Sequence, residues 1–213
     1  MSPPQLVLAT RSHHKAREIA RILAPVHLSI RSLADLDVPR SPEEEHIEVY
    51  DTFAANALAK ARHFAQRLHR VTLADDSGLR VDALDGAPGV HTKRFSGRDD
   101  LHGRELDDAN NALLLDRLQD VPPERRGARY VCCAAVAWPD GRSLHPIGTV
   151  RGRIATTPQG ESGFGYDPLF HVPGLDARFA QVHPDVKNAV SHRARAFRAL
   201  TASLQAAPWA LTP

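Results

Sequence analysis

No stretch of this 213-residue sequence stays apolar long enough to cross a bilayer: residues 131–138, among the longest such runs, fall far short of the ~20 required. Cysteine is nearly absent. The two that occur, Cys132 and Cys133, are adjacent, and neighbouring side chains of a strand point to opposite faces, so a disulfide framework is excluded. Neither has a second Cys or His at zinc-ligand spacing, which leaves buried, reduced thiols. Charge of one sign is also lacking. The 27 Lys and Arg residues meet 25 Asp and Glu, a net of +2, too balanced and mixed for a duplex-binding surface. His-Glu-x-x-His, a Walker loop and Gly-x-Ser-x-Gly are missing too, which disfavours a His-paired metal centre and covalent serine catalysis. Met1-Ser2-Pro3-Pro4-Gln5 leads into an apolar stretch too short for a signal-peptide core and carries no basic leader. The expectation is a cytoplasmic protein with no membrane span and no nucleic-acid partner.

What is present is ordinary globular composition, 42% apolar and 24% charged, over a length that suits one domain spanning residues 1–213, with two lobes. Leu6, Val7, Leu8 and Ala9 read as a buried strand, and Ile19, Ile22 and Leu23 mark a following helix. Residues 34–48, with Pro39, Pro42 and the acids Glu43, Glu44 and Glu45, suit an exposed connection. A second helix follows over residues 52–68, with Phe53, Ala57, Ala61, Phe64 and Leu68 on one stripe. Lys60 lies seven residues after Phe53, about 20° from it around the helix, so its ammonium emerges beside that stripe and favours an anionic partner. Residues 71–74 read as a short strand that ends in the turn Asp75-Asp76-Ser77-Gly78. Leu106, Ala109 and Leu113 mark a third helix. Residues 128–138 and 147–155 are strands around a turn at Pro139-Asp140-Gly141-Arg142, and Ala194, Phe197 and Leu204 mark a terminal helix before a tail beginning at Pro208.

Four segments hold groups that could do chemistry. Thr10, Arg11, Ser12, His13, His14 and Lys15 place hydroxyls, amides and cations at a helix N-terminus, which suits phosphate and equally suits a simple cap. Asp75 and Asp76 repel each other unless a cation or donors compensate. Alone, Asp75-Asp76-Ser77-Gly78 reads first as a solvated Asx-type turn, with a Mg²⁺ site as the alternative. In Gly163-Phe164-Gly165-Tyr166-Asp167-Pro168 the glycines allow close backbone approach, Phe164 offers a ring face and Asp167 its acceptors, so either a nucleobase site or a packed aromatic turn fits. Lys187, Ser191, His192 and Arg193 form a basic cluster ahead of the terminal helix, where Ser191 equally suits an N-cap and the cations a solvated face.

Taken in order, Leu8-Ala9-Thr10-Arg11-Ser12-His13-His14-Lys15, Ala74-Asp75-Asp76-Ser77-Gly78-Leu79, Gly86-Ala87-Pro88-Gly89-Val90, Gly163-Phe164-Gly165-Tyr166-Asp167-Pro168-Leu169-Phe170 and Ser191-His192-Arg193 closely resemble the inosine/xanthosine triphosphate pyrophosphatase family, also called Ham1-like or dITP/XTP pyrophosphatases. The resemblance spans nearly the whole chain. It implies an elongated α/β fold, with a long mixed sheet, flanking helices and two lobes around a nucleotide cleft, and a homodimer. It further implies Mg²⁺-dependent hydrolysis of the deaminated purine nucleotides ITP, dITP and XTP to monophosphate and pyrophosphate, which cleanses the nucleotide pool. Transferred onto this sequence, Thr10, Arg11, Ser12, His13, His14 and Lys15 would cradle the triphosphate, with Lys60 supporting it. Asp76 would bind the metal and act as general base, with Asp75 and Ser77 in support. Phe164 would stack on the base. Gly165, Tyr166, Asp167, Lys187, His192 and Arg193 would recognise the base edge and sugar.

Two positions depart from the family pattern. Ser12 stands where an Asn is usual, and Tyr50 stands where a turn glycine precedes the second helix. The family's second metal ligand is a glutamate beside that turn. Glu48 is the assignment here, with Glu43, Glu44 and Glu45 nearby. The rival readings are a Maf-like pyrophosphatase of modified pyrimidine nucleotides and a noncatalytic nucleotide-binding protein.

Overall fold

The computed structural model describes residues 5–26 and 28–206, so the opening Met1 to Pro4 and the tail from Pro208 lie outside the described residues. Strands β1 (Gln5–Leu8), β2 (Ser29–Ser32), β3 (Thr72–Val81), β4 (Gly127–Ala137), β5 (Ser143–Leu144), β6 (Ile147–Ile154), β7 (Phe170–Val172) and β8 (Ala177–Arg178) build an open sheet in the order β2-β1-β3-β4-β6-β7-β8, with β5 beside β4. The sheet is mixed. β1 runs parallel to β2 and β3, whereas β4 and β5, β6 and β7, and β7 and β8 pair antiparallel. Helices α1 (His13–Leu23), α2 (Phe53–Leu68), α3 (Gly103–Arg117), α4 (Pro184–Val190) and α5 (His192–Ala206) flank it, as an α/β chain of this pattern requires. No helix among the described residues is long and apolar enough to cross a membrane.

The chain divides into two compact units. The first comprises Met1–Asp76, Cys132–Gly148 and His192–Pro213; the second comprises Ser77–Val131 and Thr149–Ser191. In the first unit Leu6 and Leu8 of β1, Ile19, Ile22 and Leu23 of α1, and Phe197, Leu200 and Leu204 of α5 share one core with Cys132, Ala134 and Val136 of β4 and with Trp138, the residue after it. The three β4 residues alternate, as one strand face must. Cys133, Ala135 and Ala137 between them are buried as well, so this strand is covered on both sides and reads as a continuous apolar run. Both cysteines are free thiols inside the protein. The second unit packs Leu79, Val81, Leu114, Leu118, Val150 and Ile154 around an aromatic cluster. There the ring of Phe170 lies 4.6 Å from Tyr130 and 5.4 Å from Phe179, centre to centre.

Three local expectations change. The acidic tetrapeptide is no turn: Asp75, Asp76, Ser77 and Gly78 lie within the ten-residue strand β3. Turn propensity yields because both acids are gripped by side chains distant in sequence, described below, and burial in a sheet then satisfies the backbone. In α3 the buried positions are Leu106, Asn110, Asn111 and Leu114, while Ala109 and Leu113 are only partly covered. The stripe is rotated because the two asparagines turn inward to hold backbone: Asn110 accepts from the Ser96 amide at 2.7 Å and donates to the Lys93 carbonyl at 3.1 Å. Finally, α4 and β2 are elements that apolar periodicity did not expose, being short, polar or half-buried.

Close packing also explains one glycine. A Cβ at Gly148 in β6 would come within 2.2 Å of the His192 carbonyl oxygen and 2.4 Å of the Ala196 amide nitrogen. Backbone of α5 cannot move aside without shifting the helix that carries Arg193. Gly148→Ala should therefore destabilise by about 1–3 kcal/mol, the usual cost of overpacking, read as a lowered thermal midpoint; a midpoint equal to wild type would disprove this packing.

Candidate functional site

In the first unit, the loop after β1 delivers its residues to the start of α1. Ser12 caps the helix by accepting from the Lys15 amide at 3.4 Å, and Thr10 Oγ1 accepts from the Ser12 amide at 3.2 Å. His13 opens the helix. His14 Nδ1 meets Arg17 at 3.1 Å. Arg11 faces a different partner: its Nε and Nη2 donate to the Glu44 carboxylate at 3.0 and 2.7 Å, and further donations reach the carbonyls of Val38 and Pro39. Arg67 of α2 reaches the same Glu44 at 3.5 Å and the Pro39 carbonyl at 3.0 Å. The acidic connection is thereby tied down by two arginines.

Behind that loop sits Asp75, wholly buried (0% exposed) in mid-strand. Its Oδ2 takes Nη2 and Nε of Arg193 at 3.2 and 3.3 Å and lies 3.3 Å from Lys15 Nζ, with Cys132 Sγ at 4.0 Å. Burial alone would raise this carboxyl's pKa, but Lys15, Arg193 and Lys60 outweigh it and hold the group well below the usual carboxylate range. Arg193 is itself 1% exposed, and Glu18 of α1 pairs with its other nitrogen. Burial opposes the charge on Lys15 and Arg193 alike, yet the acids around them win and both pKa values rise. The thiols respond oppositely. Burial, then Asp75, pushes Cys132 far up, and burial with Asp76 takes Cys133 to about 12, so neither is a nucleophile at neutral pH.

Asp76, the next residue, differs. Its Oδ2 accepts from Asn56 Nδ2 at 3.1 Å. Its pKa is raised, first by burial and then by Glu48, against the lowering effects of Lys15, Lys60 and that hydrogen bond. Glu48 pairs with Lys60 at 2.6 Å. Asp75, Asp76, Lys15, Lys60, Glu48 and Asn56 therefore form one cluster. No motif announces Asn56; its signal in the sequence is a polar residue beside the apolar stripe of α2.

The second unit holds the glycine-rich segment. Asp167 is buried, and its Oδ2 accepts from the Phe164 amide at 3.0 Å and from Lys187 Nζ at 2.6 Å. The Lys187 ammonium also lies 4.9 Å from the centre of the Phe164 ring and 5.6 Å from that of Phe179, a cation–π arrangement. Gly163 has φ of +81°, and a Cβ there would fall 2.1 Å from Asp167 Oδ2, so only glycine permits this turn. The Gly165 peptide is held from α3: its amide donates to Asp107 at 2.7 Å and its carbonyl accepts from Asn111 at 2.9 Å. Tyr166 donates its hydroxyl to the Thr92 carbonyl at 2.8 Å. Ser77 is buried in β3, Ser191 closes α4 by donating its amide to the Lys187 carbonyl at 2.8 Å, and His192, buried, opens α5 in the first unit. Asp107, Asn111 and Thr92 are supporting groups that no sequence motif announced.

The model of the Ham1 family matches residues 6–203. A relative from Frankia alni named dITP/XTP pyrophosphatase is 48% identical over 201 residues, 94% of this chain and 97% of that one. The structure of a HAM1 protein from Coxiella burnetii superimposes with a TM-score of 0.82 at 33% identity, covering 96% of this chain and all (100%) of that one. That of a nucleoside-triphosphatase, dITP/XTP pyrophosphatase, from Mycobacterium abscessus gives a TM-score of 0.72 at 43% identity, covering 92% and 98%.

Replacing Asp75 by Asn would leave Lys15 and Arg193 facing a neutral amide. Asp75→Asn should lower stability at pH 7 by roughly 3–5 kcal/mol, the usual cost of breaking a buried pair. The sign with pH follows from the depressed folded-state pKa: the contribution is complete above the unfolded pKa of about 4 and disappears as pH falls through the lower folded value. Urea titrations of both proteins should show a gap that narrows only below about pH 4; an equal gap at about pH 2.5 and pH 7 would refute the assignment.

Proposed function

The chain belongs to the Ham1 family, and from that premise we propose that it is a nucleoside triphosphate pyrophosphatase acting on ITP, dITP and XTP, cleaving between the α and β phosphates. The observation that carries the proposal is the cluster of Asp75, Asp76, Glu48, Lys15 and Lys60 in the first unit. Two neighbouring aspartates there have opposite electrostatics: Asp75 is kept ionised by Lys15 and Arg193, whereas Asp76 is raised by burial and Glu48. Such a division assigns roles. Asp75 holds the cations, and Asp76 is the base.

In this reading Asp76 takes a proton from water as its oxygen attacks the α-phosphorus, the bridging bond to the β-phosphate breaks, and pyrophosphate leaves with that bond's electron pair. Lys15 and Lys60 balance the phosphate charge, and the capped N-terminus of α1 contributes amides. Asp75 keeps Lys15 in place, and Arg193 anchors Asp75. Asp76 and Glu48 are hard oxygen ligands of the kind Mg²⁺ accepts, which needs only one or two protein carboxylates beside substrate phosphates and water; among the described residues no group of three or more His, Cys, Asp or Glu side chains is assembled for a metal. When bound, the ion would neutralise phosphate charge and polarise the reacting phosphoryl group. What favours Glu48 over its neighbours is its pairing with Lys60 and its influence on Asp76, while Glu44 is engaged by Arg11 and Arg67. The base is given to the second unit: Phe164 stacks, and donors held near Asp167 and Lys187 accept a keto purine while rejecting adenine, whose exocyclic amine is itself a donor. A cytoplasmic homodimer belongs to the same proposal.

A hydrolysis panel with Mg²⁺ tests it. ITP, dITP and XTP should be turned over roughly 10²-fold or more faster than ATP, with pyrophosphate released. Preference for a pyrimidine would point instead to a Maf-like activity, and binding of ITP without turnover to a binding protein. Asp76→Asn should keep the circular dichroism of wild type and lower kcat at least ~10²-fold, the usual contribution of a general base; unchanged turnover would remove Asp76 from the mechanism.

A further inference from the structure

Asn56 does more than touch Asp76. It is 2% exposed and uses both ends of its carboxamide: Oδ1 accepts from the Tyr50 amide at 2.9 Å, while Nδ2 donates to the Tyr50 carbonyl at 3.0 Å and to Asp76 Oδ2 at 3.1 Å. Two acceptors facing one end fix the orientation of the amide, since only the nitrogen can donate. One turn further along α2, Lys60 pairs with Glu48, two residues before Tyr50. Residues four apart share a helix face. The same face of α2 therefore grips the connecting segment twice, at the backbone of Tyr50 and the carboxylate of Glu48, and grips Asp76 as well.

We propose that Asn56 is a positioning residue that sets the location of Glu48 relative to Asp76 by fastening the Tyr50 peptide and the Asp76 carboxylate to a single helix position. No other side chain of this size does so. Aspartate would keep the acceptor for the Tyr50 amide but lose both donations and add a third negative charge beside Asp76. Alanine would leave the Tyr50 peptide and Asp76 without this partner. Tyr50 itself shows that the grip is on backbone: the residue is 51% exposed, yet both polar atoms of its backbone are bound to Asn56. At this position the turn proceeds without glycine, and the asparagine supplies the restraint.

The inference rests on the roles given above to Asp76 and Glu48, so its test includes a measurement independent of turnover. In nucleotide-free wild type, the Tyr50 amide should exchange with solvent at least ~10-fold more slowly than an open-loop amide. A Tyr50 amide that exchanges freely overturns the proposal, and this reading needs no variant to fold. In Asn56→Ala, exchange across residues 47–52 should rise while α1 and α5 keep their protection, and kcat for ITP should fall roughly 10–100-fold, the range found when outer partners of a ligand are lost, with KM changing less than kcat. Asn56→Asp should lose more kcat than Asn56→Ala. A folded Asn56→Ala with wild-type kcat, or one that loses thermal stability alone, refutes the positioning role. If Asp76→Asn abolishes turnover while Asn56→Ala retains it, this inference fails and the function stands; if wild type does not hydrolyse ITP, the functional reading fails while the exchange result still reports on the grip.

Discussion

A negative charge buried in the middle of a strand is the constraint around which the first unit is organised. An isolated carboxylate inside a protein is costly, and Asp75 is tolerable only because Lys15 arrives from the start of α1 and Arg193 from the start of α5. The second of those contacts joins residues 118 positions apart. They also fix what lies nearby. Lys15 is placed by the charge it neutralises, Arg193 is anchored further by Glu18, and Cys132 on the adjoining strand is kept protonated. The turn-forming residues Asp75-Asp76-Ser77-Gly78 become strand because this pairing removes the reason for exposing them.

The neighbouring position is electrostatically the reverse. Asp76 has cations in range but also Glu48, and its carboxyl is held by a neutral amide where Asp75 has a guanidinium. One residue of sequence thus separates the anion that holds Lys15 and Arg193 from the one proposed as the base, and strand alternation, which sends the two side chains to opposite faces, makes the separation possible. α2 serves the Asp76 face through Asn56 and Lys60, one turn apart.

The second unit solves a different problem, holding a glycine-rich segment with a few polar side chains. Asp167 ties its own turn through the Phe164 amide, Lys187 joins that carboxylate to two aromatic rings, and α3 clamps the Gly165 peptide from both sides. Glycine supplies the conformation and the polar side chains supply the rigidity. Neither is sufficient alone.

Apolar periodicity in the sequence located β1, α1, α2, the strand around residues 128–138 and the terminal helix, because each has a buried stripe that repeats at the period of its own backbone. The ordered motifs around Lys15, Asp76, Phe164 and Arg193 likewise identified the family. Tertiary structure alone decided that the acidic segment is strand, that Arg11 faces Glu44, that Arg193 is a buried counter-charge to Asp75, and that Asn56 bonds Asp76 while Asp107 and Asn111 hold the Gly165 peptide. The reason is physical. Periodicity and motif spacing are local properties of a chain, whereas the partner of a buried polar group is set by whichever distant side chain can reach it, and that distance exists only once the chain has folded.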